Sequence, residues 1–186
     1  MNKYRITFIV IMLFLFVSCL TYYQQNYNYN ISFEKGNFKE ALEIIEKNSK
    51  KGNKPHNALL YNLNLGITYA LLNNYAESNK YFNIAERIIE DQQKNYATEI
   101  LSFAVNPSIK LYQPEDFEPI ILNYYTSLNY LMMGNYDEAL IEAKRMNIKL
   151  NKLNDKYKDY KNQYQRDALG HLIMGMIYES KNDYNN

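Results

Sequence analysis

One short phrase recurs along this chain and dictates most of what the chain can fold into. Gly36-Asn37-Phe38-Lys39-Glu40-Ala41-Leu42 is the first copy, Asn73-Asn74-Tyr75-Ala76-Glu77-Ser78 the second, and Gly134-Asn135-Tyr136-Asp137-Glu138-Ala139-Leu140 the third; Asn182-Asp183-Tyr184 begins a fourth. The copies start 37, 61 and 48 residues apart. Gly or Asn leads each copy, the residue types that accept the left-handed backbone on which many helices end. Asn or Asp follows, a good N-cap for the next helix. Glu stands three places after the Asn in Asn37/Glu40, Asn74/Glu77 and Asn135/Glu138, a capping-box arrangement with Asn in place of Ser or Thr. The phrase predicts a joint between two helices, with Gly36, Asn37, Asn73, Asn74, Gly134, Asn135, Asn182 and Asp183 as structural joint residues.

The flanks carry helical periodicity. Leu65, Gly66 and Tyr69 precede the second joint, and Tyr75, Ser78, Phe82 and Ala85 follow it on one face. Thr126, Ser127 and Tyr130 precede the third joint, with Tyr136, Ala139, Ala143 and Met146 after it; Met174, Gly175 and Tyr178 precede the fourth. These residues resemble the tetratricopeptide repeat. Gly66, Ser127 and Gly175 match the small residue of that family's first helix, Tyr69, Tyr130 and Tyr178 its Tyr, and Ala41, Ser78 and Ala139 the small residue of its second helix. The chain departs from the pattern in lacking the closing Pro and in placing Asn62, Asn123 and His171 where the family usually has Trp. The resemblance implies an all-α, tetratricopeptide-like helix-turn-helix solenoid of about three and a half repeats, the last incomplete. The long offsets imply an insertion at about 91–118, part helix extension and part loop, and a lengthened helix from Asn154 onward. Tyr112 to Asn147 is also similar to a group of bacterial envelope lipoproteins with no established activity.

The N-terminus reads as an address. Lys3 and Arg5 precede an apolar run from Ile6 to Val17, about the length of a signal-peptide core and short of the ~20 residues that span a bilayer. The run stops at Phe16-Val17-Ser18-Cys19, which resembles a bacterial lipobox with Phe16 in place of the usual Leu. The chain has 1 Cys, so no intramolecular disulfide can form. The resemblance implies lipidation at Cys19 and membrane attachment through the acyl chains. The expected domains are a lipoprotein signal peptide over 1–18, a flexible tether over 19–30 and the repeat domain over 31–186. The tether rests on the uncharged, Gln/Asn/Tyr-rich stretch Thr21 to Asn30; the alternative is a poor first helix packed on the repeats.

Chemistry is hard to find. No zinc-protease, dinucleotide, phosphate-loop or nucleophile-elbow motif is present. His56 lies in a loop-like stretch, and His171 reads as packed or solvated. Glu138 and Glu142, four apart beside Lys144 and Arg145, read as a solvated helix surface. Glu115, Asp116 and Glu118 cluster near Pro114, a helix start where negative charge is favoured. No enzyme activity, cofactor or metal is expected. The net charge is +1, which removes the main affinity term of a nucleic-acid binder.

A binding role remains. Stacked helix pairs form a concave surface lined by their first helices. The family's spacing puts Leu60, Leu63, Ile67 and Leu71 there in the second unit, and Ile121, Tyr124, Leu128, Leu131 and Met132 in the third. This groove either receives an apolar segment of a protein partner, with Tyr124, Tyr125 and Met132 as anchors, or is filled by the chain's own insertion, Ser102 to Pro114. The expected function is a lipid-anchored scaffold of the cell envelope, on the periplasmic or surface side. The alternatives are an accessory lipoprotein of wall or polysaccharide processing and a truncated fragment of a longer repeat protein.

Overall fold

The computed structural model describes Gln24 and residues 26–52, 54–105, 111–157 and 168–181. Cys19, Asn182 and Asp183 lie outside the described residues. Every regular element described is a helix: α1 (Tyr27–Glu34), α2 (Phe38–Lys47), α3 (Ser49–Gly52), α4 (Ala58–Leu71), α5 (Tyr75–Val105), α6 (Glu118–Met132), α7 (Tyr136–Lys156) and α8 (Ala168–Ser180). Among the described residues, no helix is long and apolar enough to cross a membrane.

Three turns are built alike. Gly36, Asn73 and Gly134 hold φ at +77°, +60° and +75°, the left-handed region that carries the chain out of one helix. Each donates its N–H to the carbonyl three residues back: Gly36 to Phe33 at 2.9 Å, Asn73 to Ala70 at 2.9 Å, Gly134 to Leu131 at 3.0 Å. The Asn that follows reaches one carbonyl further: Asn37 to Ser32 at 2.8 Å, Asn74 to Tyr69 and Asn135 to Tyr130 at 2.9 Å. This is the Schellman pair, and it satisfies carbonyls that a helix end otherwise leaves bare. The same Asn then accepts the first bond of the next helix through its own carbonyl, from Ala41, Ser78 and Ala139 at 2.9–3.0 Å.

The side-chain half of the expected capping box differs. Asn74 Oδ1 accepts the Glu77 N–H at 3.4 Å, but neither Asn37 nor Asn135 makes a side-chain cap bond. The Glu half of the box is excluded by the backbone. A capping-box Glu reaches back to the N–H of the cap residue. Here that N–H already belongs to the preceding helix, so Glu77 pairs with Lys80 instead, at 2.9 Å.

Each turn folds two helices against each other. In α4 and α5 the contacts run antiparallel: Tyr69 stacks on Tyr81 near the turn at 5.5 Å, and Gly66 meets Phe82 one turn further out. A Cβ added to Gly66 would lie 2.5 Å from the Phe82 ring, and Ser78 Oγ donates to the Gly66 carbonyl at 2.7 Å. The pairs then join in chain order, with α2 against α4, α5 against α6, and α7 against α8; the first helices α4, α6 and α8 also touch in sequence. The apolar core follows the same order. Tyr29, Ala41, Ile45, Tyr61 and Leu65 pack at one end, Leu59, Phe82, Ala85, Ile89 and Leu122 in the middle, and Ala139, Ala143, Ile173 and Ile177 at the other end. α4 is nearly all apolar because it is covered on two sides, by α2 and by α5.

The tether expected over 19–30 is too long. α1 begins at Tyr27, so residues 27–30 belong to the helical domain rather than preceding it at 31. Tyr29 is the cause. It is 3% exposed, its hydroxyl shares a hydrogen bond with Thr68 Oγ1 at 3.0 Å, and burial raises its pKa to about 12. Tyr29 and Phe33, one helical turn apart, form the apolar face that the uncharged stretch conceals. The insertion over 91–118 divides as helix extension, to Val105, and non-helical chain over 111–117. α7 runs to Lys156.

Gly66 and Gly175, in the interiors of α4 and α8, are expected to respond in opposite directions to the same change. Gly66→Ala forces a methyl into Phe82 and is expected to lower unfolding free energy by about 1–3 kcal/mol. Nothing lies within 4 Å of a Cβ at Gly175, so Gly175→Ala is expected to raise it by about 0.5–1 kcal/mol through helix propensity. Urea unfolding measures both, and equal destabilisation would contradict the packing described.

Candidate functional site

Two features between the helices have the shape or chemistry of a site. The first is an apolar groove of about 240 Å³ between α4 and α6, lined by Leu60, Leu63, Ile67, Phe82, Ile121 and Tyr125 among others. Successive turns of α4 bring Leu60, Leu63 and Ile67 to one edge at helical spacing. Phe82 forms the floor, 2% exposed and stacked on Tyr125 at 5.8 Å. Phe117 and Ile121 stand at the other edge, 42% and 45% exposed. Glu118 brings the one carboxylate of the lining.

The expected groove residues divide into three groups. Leu60, Leu63, Ile67 and Ile121 line the groove. Tyr124, Leu128 and Leu131 instead pack with Ala139, Ala143, Ile173 and Ile177, as core between α6, α7 and α8. Leu71 and Met132, at the ends of their helices, are 42% and 59% exposed and outside the lining. The insertion contributes Tyr112, which packs on the Leu59 cluster beneath the groove and donates its hydroxyl to Glu118 at 2.8 Å. Sequence reasoning did not single out Phe117, since a residue in a Pro-flanked loop carries no periodicity.

The second feature is a buried polar hub where α5, α6 and α7 meet. Asn123 of α6 is fully buried, and its amide donates to Glu142 at 2.7 Å and to Glu86 at 3.3 Å. Lys149 of α7 donates to Glu86 at 2.9 Å, to the Pro119 carbonyl at 3.3 Å and to Asn123 Oδ1. Arg145 bridges Glu86 at 3.0 Å and Glu142 at 3.2 Å. Glu142 is thus 8% exposed, which corrects its reading as part of a solvated helix surface; Glu138 does lie in solvent. The error has a physical source. The partners of Glu142 come from α6 and α5, and spacing along one helix cannot reveal them.

Beside the hub lies a charged cleft of about 300 Å³, lined by Glu86, Glu90, Glu115 and Asp116 with Lys149, Lys152 and Lys156. Two of its acids are engaged with its lysines, Glu86 with Lys149 and Asp116 with Lys156. Asp116 accepts from Lys156 at 2.7 Å and from the Tyr157 hydroxyl, and these bonds hold its pKa below the ordinary value. Glu118 accepts the Glu115 N–H at 2.9 Å. Among the described residues, no three His, Cys, Asp or Glu side chains gather to hold a metal ion. His171 is exposed and His56 half-buried.

Compared with known proteins, the chain matches no family model, no curated protein and no solved structure.

Glu86 links this geometry to pH. Burial pushes its pKa up, but the hydrogen bond and charge of Lys149, then Arg145 and the Asn123 amide, outweigh burial and hold it below 4.5. A carboxylate lowered on folding contributes stability that is complete above its unfolded value and is lost as pH falls through its folded value. The melting temperature is therefore expected to fall below about pH 4.5, more steeply for the native chain than for Glu86→Gln. Thermal unfolding between neutral pH and pH 3 checks this; identical slopes would remove Glu86 from the account.

Proposed function

We propose that this chain is a lipid-anchored protein of the bacterial cell envelope that binds other proteins through tetratricopeptide-like repeats. The observation that carries the binding role is the groove between α4 and α6, whose lining is apolar except for Asn64 and Glu118. Apolar side chains standing half in water, beside ringed floors such as Phe82 and Tyr125, suit the anchoring residue of a partner protein. The repeat reading is supported by three turns with one hydrogen-bond pattern and by first helices that touch in sequence. A role in binding rather than catalysis is supported by the pairing of Glu86 with Lys149 and of Asp116 with Lys156, which lowers the basicity of both carboxylates. The anchor rests on the lipobox-like Ser18-Cys19 after an apolar run.

A second reading, an accessory of wall or polysaccharide processing, draws on the charged cleft. Glu86 and Asp116 would have to leave their lysine partners to meet a sugar, so the apolar groove is the better-supported site.

The test is photo-crosslinking from Leu63, with Lys144 on the exposed face of α7 as the comparison, in the cells that produce the protein. Discrete protein crosslinks from Leu63, absent from Lys144 and found in the membrane fraction, are the expected result. Cys19→Ala is expected to move the protein and its crosslinks out of that fraction. No species above the Lys144 background would remove the binding role, and a Cys19→Ala protein still held at the membrane would remove the anchor.

A further inference from the structure

The cleft beside the hub holds charges that its ion pairs do not use. Glu86 is engaged with Lys149, and Asp116 with Lys156. Glu90, Glu115 and Lys152 also line the cleft, and among the described residues their side chains form no hydrogen bond or ion pair. Glu90 acts on Arg145, and Glu115 on Tyr112, through charge alone. The three come from three walls: Glu90 from α5, Lys152 from α7, and Glu115 from the chain that leads into α6. Spacing along a single helix, which sets charges side by side on any solvated face, does not produce such a convergence.

The engaged groups hold these walls in place. Glu90 stands one helical turn beyond Glu86, and Lys152 lies between Lys149 and Lys156 on one face of α7. Glu115 is fixed through its backbone: its N–H donates to the Glu118 carboxylate at 2.9 Å, and its carbonyl accepts the Glu118 N–H at 3.0 Å. Its neighbour Asp116 is tied to α7 through Lys156. The lining also has apolar parts. Ile89 and Leu153, 3% and 6% exposed, contribute to it with Pro114 and Pro119. The volume of about 300 Å³ is at the lower end of the range that receives small ligands.

Two carboxylates without a cation, one ammonium without an anion and an apolar wall define the complementary compound. It carries two ammonium groups, one carboxylate and a short run of methylenes. We infer that the cleft binds a free diamino acid of the lysine or ornithine type, with its two ammonium groups on Glu90 and Glu115, its carboxylate on Lys152 and its methylenes against Ile89 and Leu153. A lysine inside a peptide chain has given its α-ammonium and carboxylate to amide bonds and matches only in part. The cleft shares no lining residue with the groove between α4 and α6, and this assignment does not depend on the role of that groove.

The probe that tests it is L-lysine, titrated into the isotope-labelled full chain in mild neutral detergent and followed through amide shifts in NMR. Saturable shifts are expected around Glu90, Glu115 and Lys152, with the amides of Leu60 and Leu63 unmoved. Cadaverine lacks the carboxylate and ε-aminocaproate lacks one ammonium group; each is expected to bind the native chain at least about fivefold more weakly. Lys152→Met and Glu90→Gln are expected to weaken lysine binding by at least about fivefold. Both variants are expected to unfold thermally as the native chain does, since neither side chain is bonded within the described residues. Equal affinity for lysine and cadaverine would give the cleft to a simple cation and overturn the inference. No saturable binding, shifts confined to other parts of the chain, or undiminished affinity in Lys152→Met would overturn it as well.

Discussion

The structure depends on a reversal made by two adjacent residues. A left-handed Gly or Asn turns the chain out of a helix, and the Asn after it ties its own N–H back while its carbonyl starts the next helix. One residue is thereby bonded to both helices, so the exit angle has little freedom. The small residue five positions after each left-handed one, Ala41, Ser78 or Ala139, then comes to lie fully buried. Close approach at that point lets Phe82 seat on Gly66 and Tyr69 stack on Tyr81. The groove between α4 and α6 lies beside this contact, with Phe82 as its floor.

Apolar packing alone would leave the sliding of α5, α6 and α7 poorly determined. The hub around Asn123 restricts it. Glu86, Glu142, Arg145 and Lys149 find their partners only in one register, since their bonds link all three pairs of these helices. Burying such a network adds little net stability, yet leaving any member unpaired is expensive. A second chain of bonds crosses the same region, from Asn129 to Ser78 at 2.8 Å and from Ser78 to the Gly66 carbonyl at 2.7 Å. α4, α5 and α6 are thus tied by polar contacts lying beside the apolar groove rather than within it.

The turns were legible in the sequence because their geometry is local: φ above zero selects Gly or Asn, and the next helix begins at once. The small residues were legible for a related reason, since close helix contact leaves no room for larger ones. α1 was not, because a run of Tyr, Asn and Gln reads as polar composition until Tyr29 and Phe33 are seen on one face. The hub was half visible. Asn123 stood out as a departure from the aromatic expected there, but its partners Glu86 and Glu142 lie 37 and 19 residues away and follow no period. The division of the groove residues failed for the same reason. Leu63 and Tyr124 hold equivalent positions, and only the neighbouring helices decide that one faces the groove and the other the core between α6, α7 and α8.

Hydrogen exchange of individual backbone amides, followed by NMR, tests the shared turn most directly. The account predicts that the N–H groups of Gly36, Asn37, Asn73, Asn74, Gly134 and Asn135 exchange slowly, in step with the helix interiors on either side, because each is donated to a carbonyl of the preceding helix. Exchange of these amides at the rate of an unstructured loop, while the flanking helices stay protected, would contradict it.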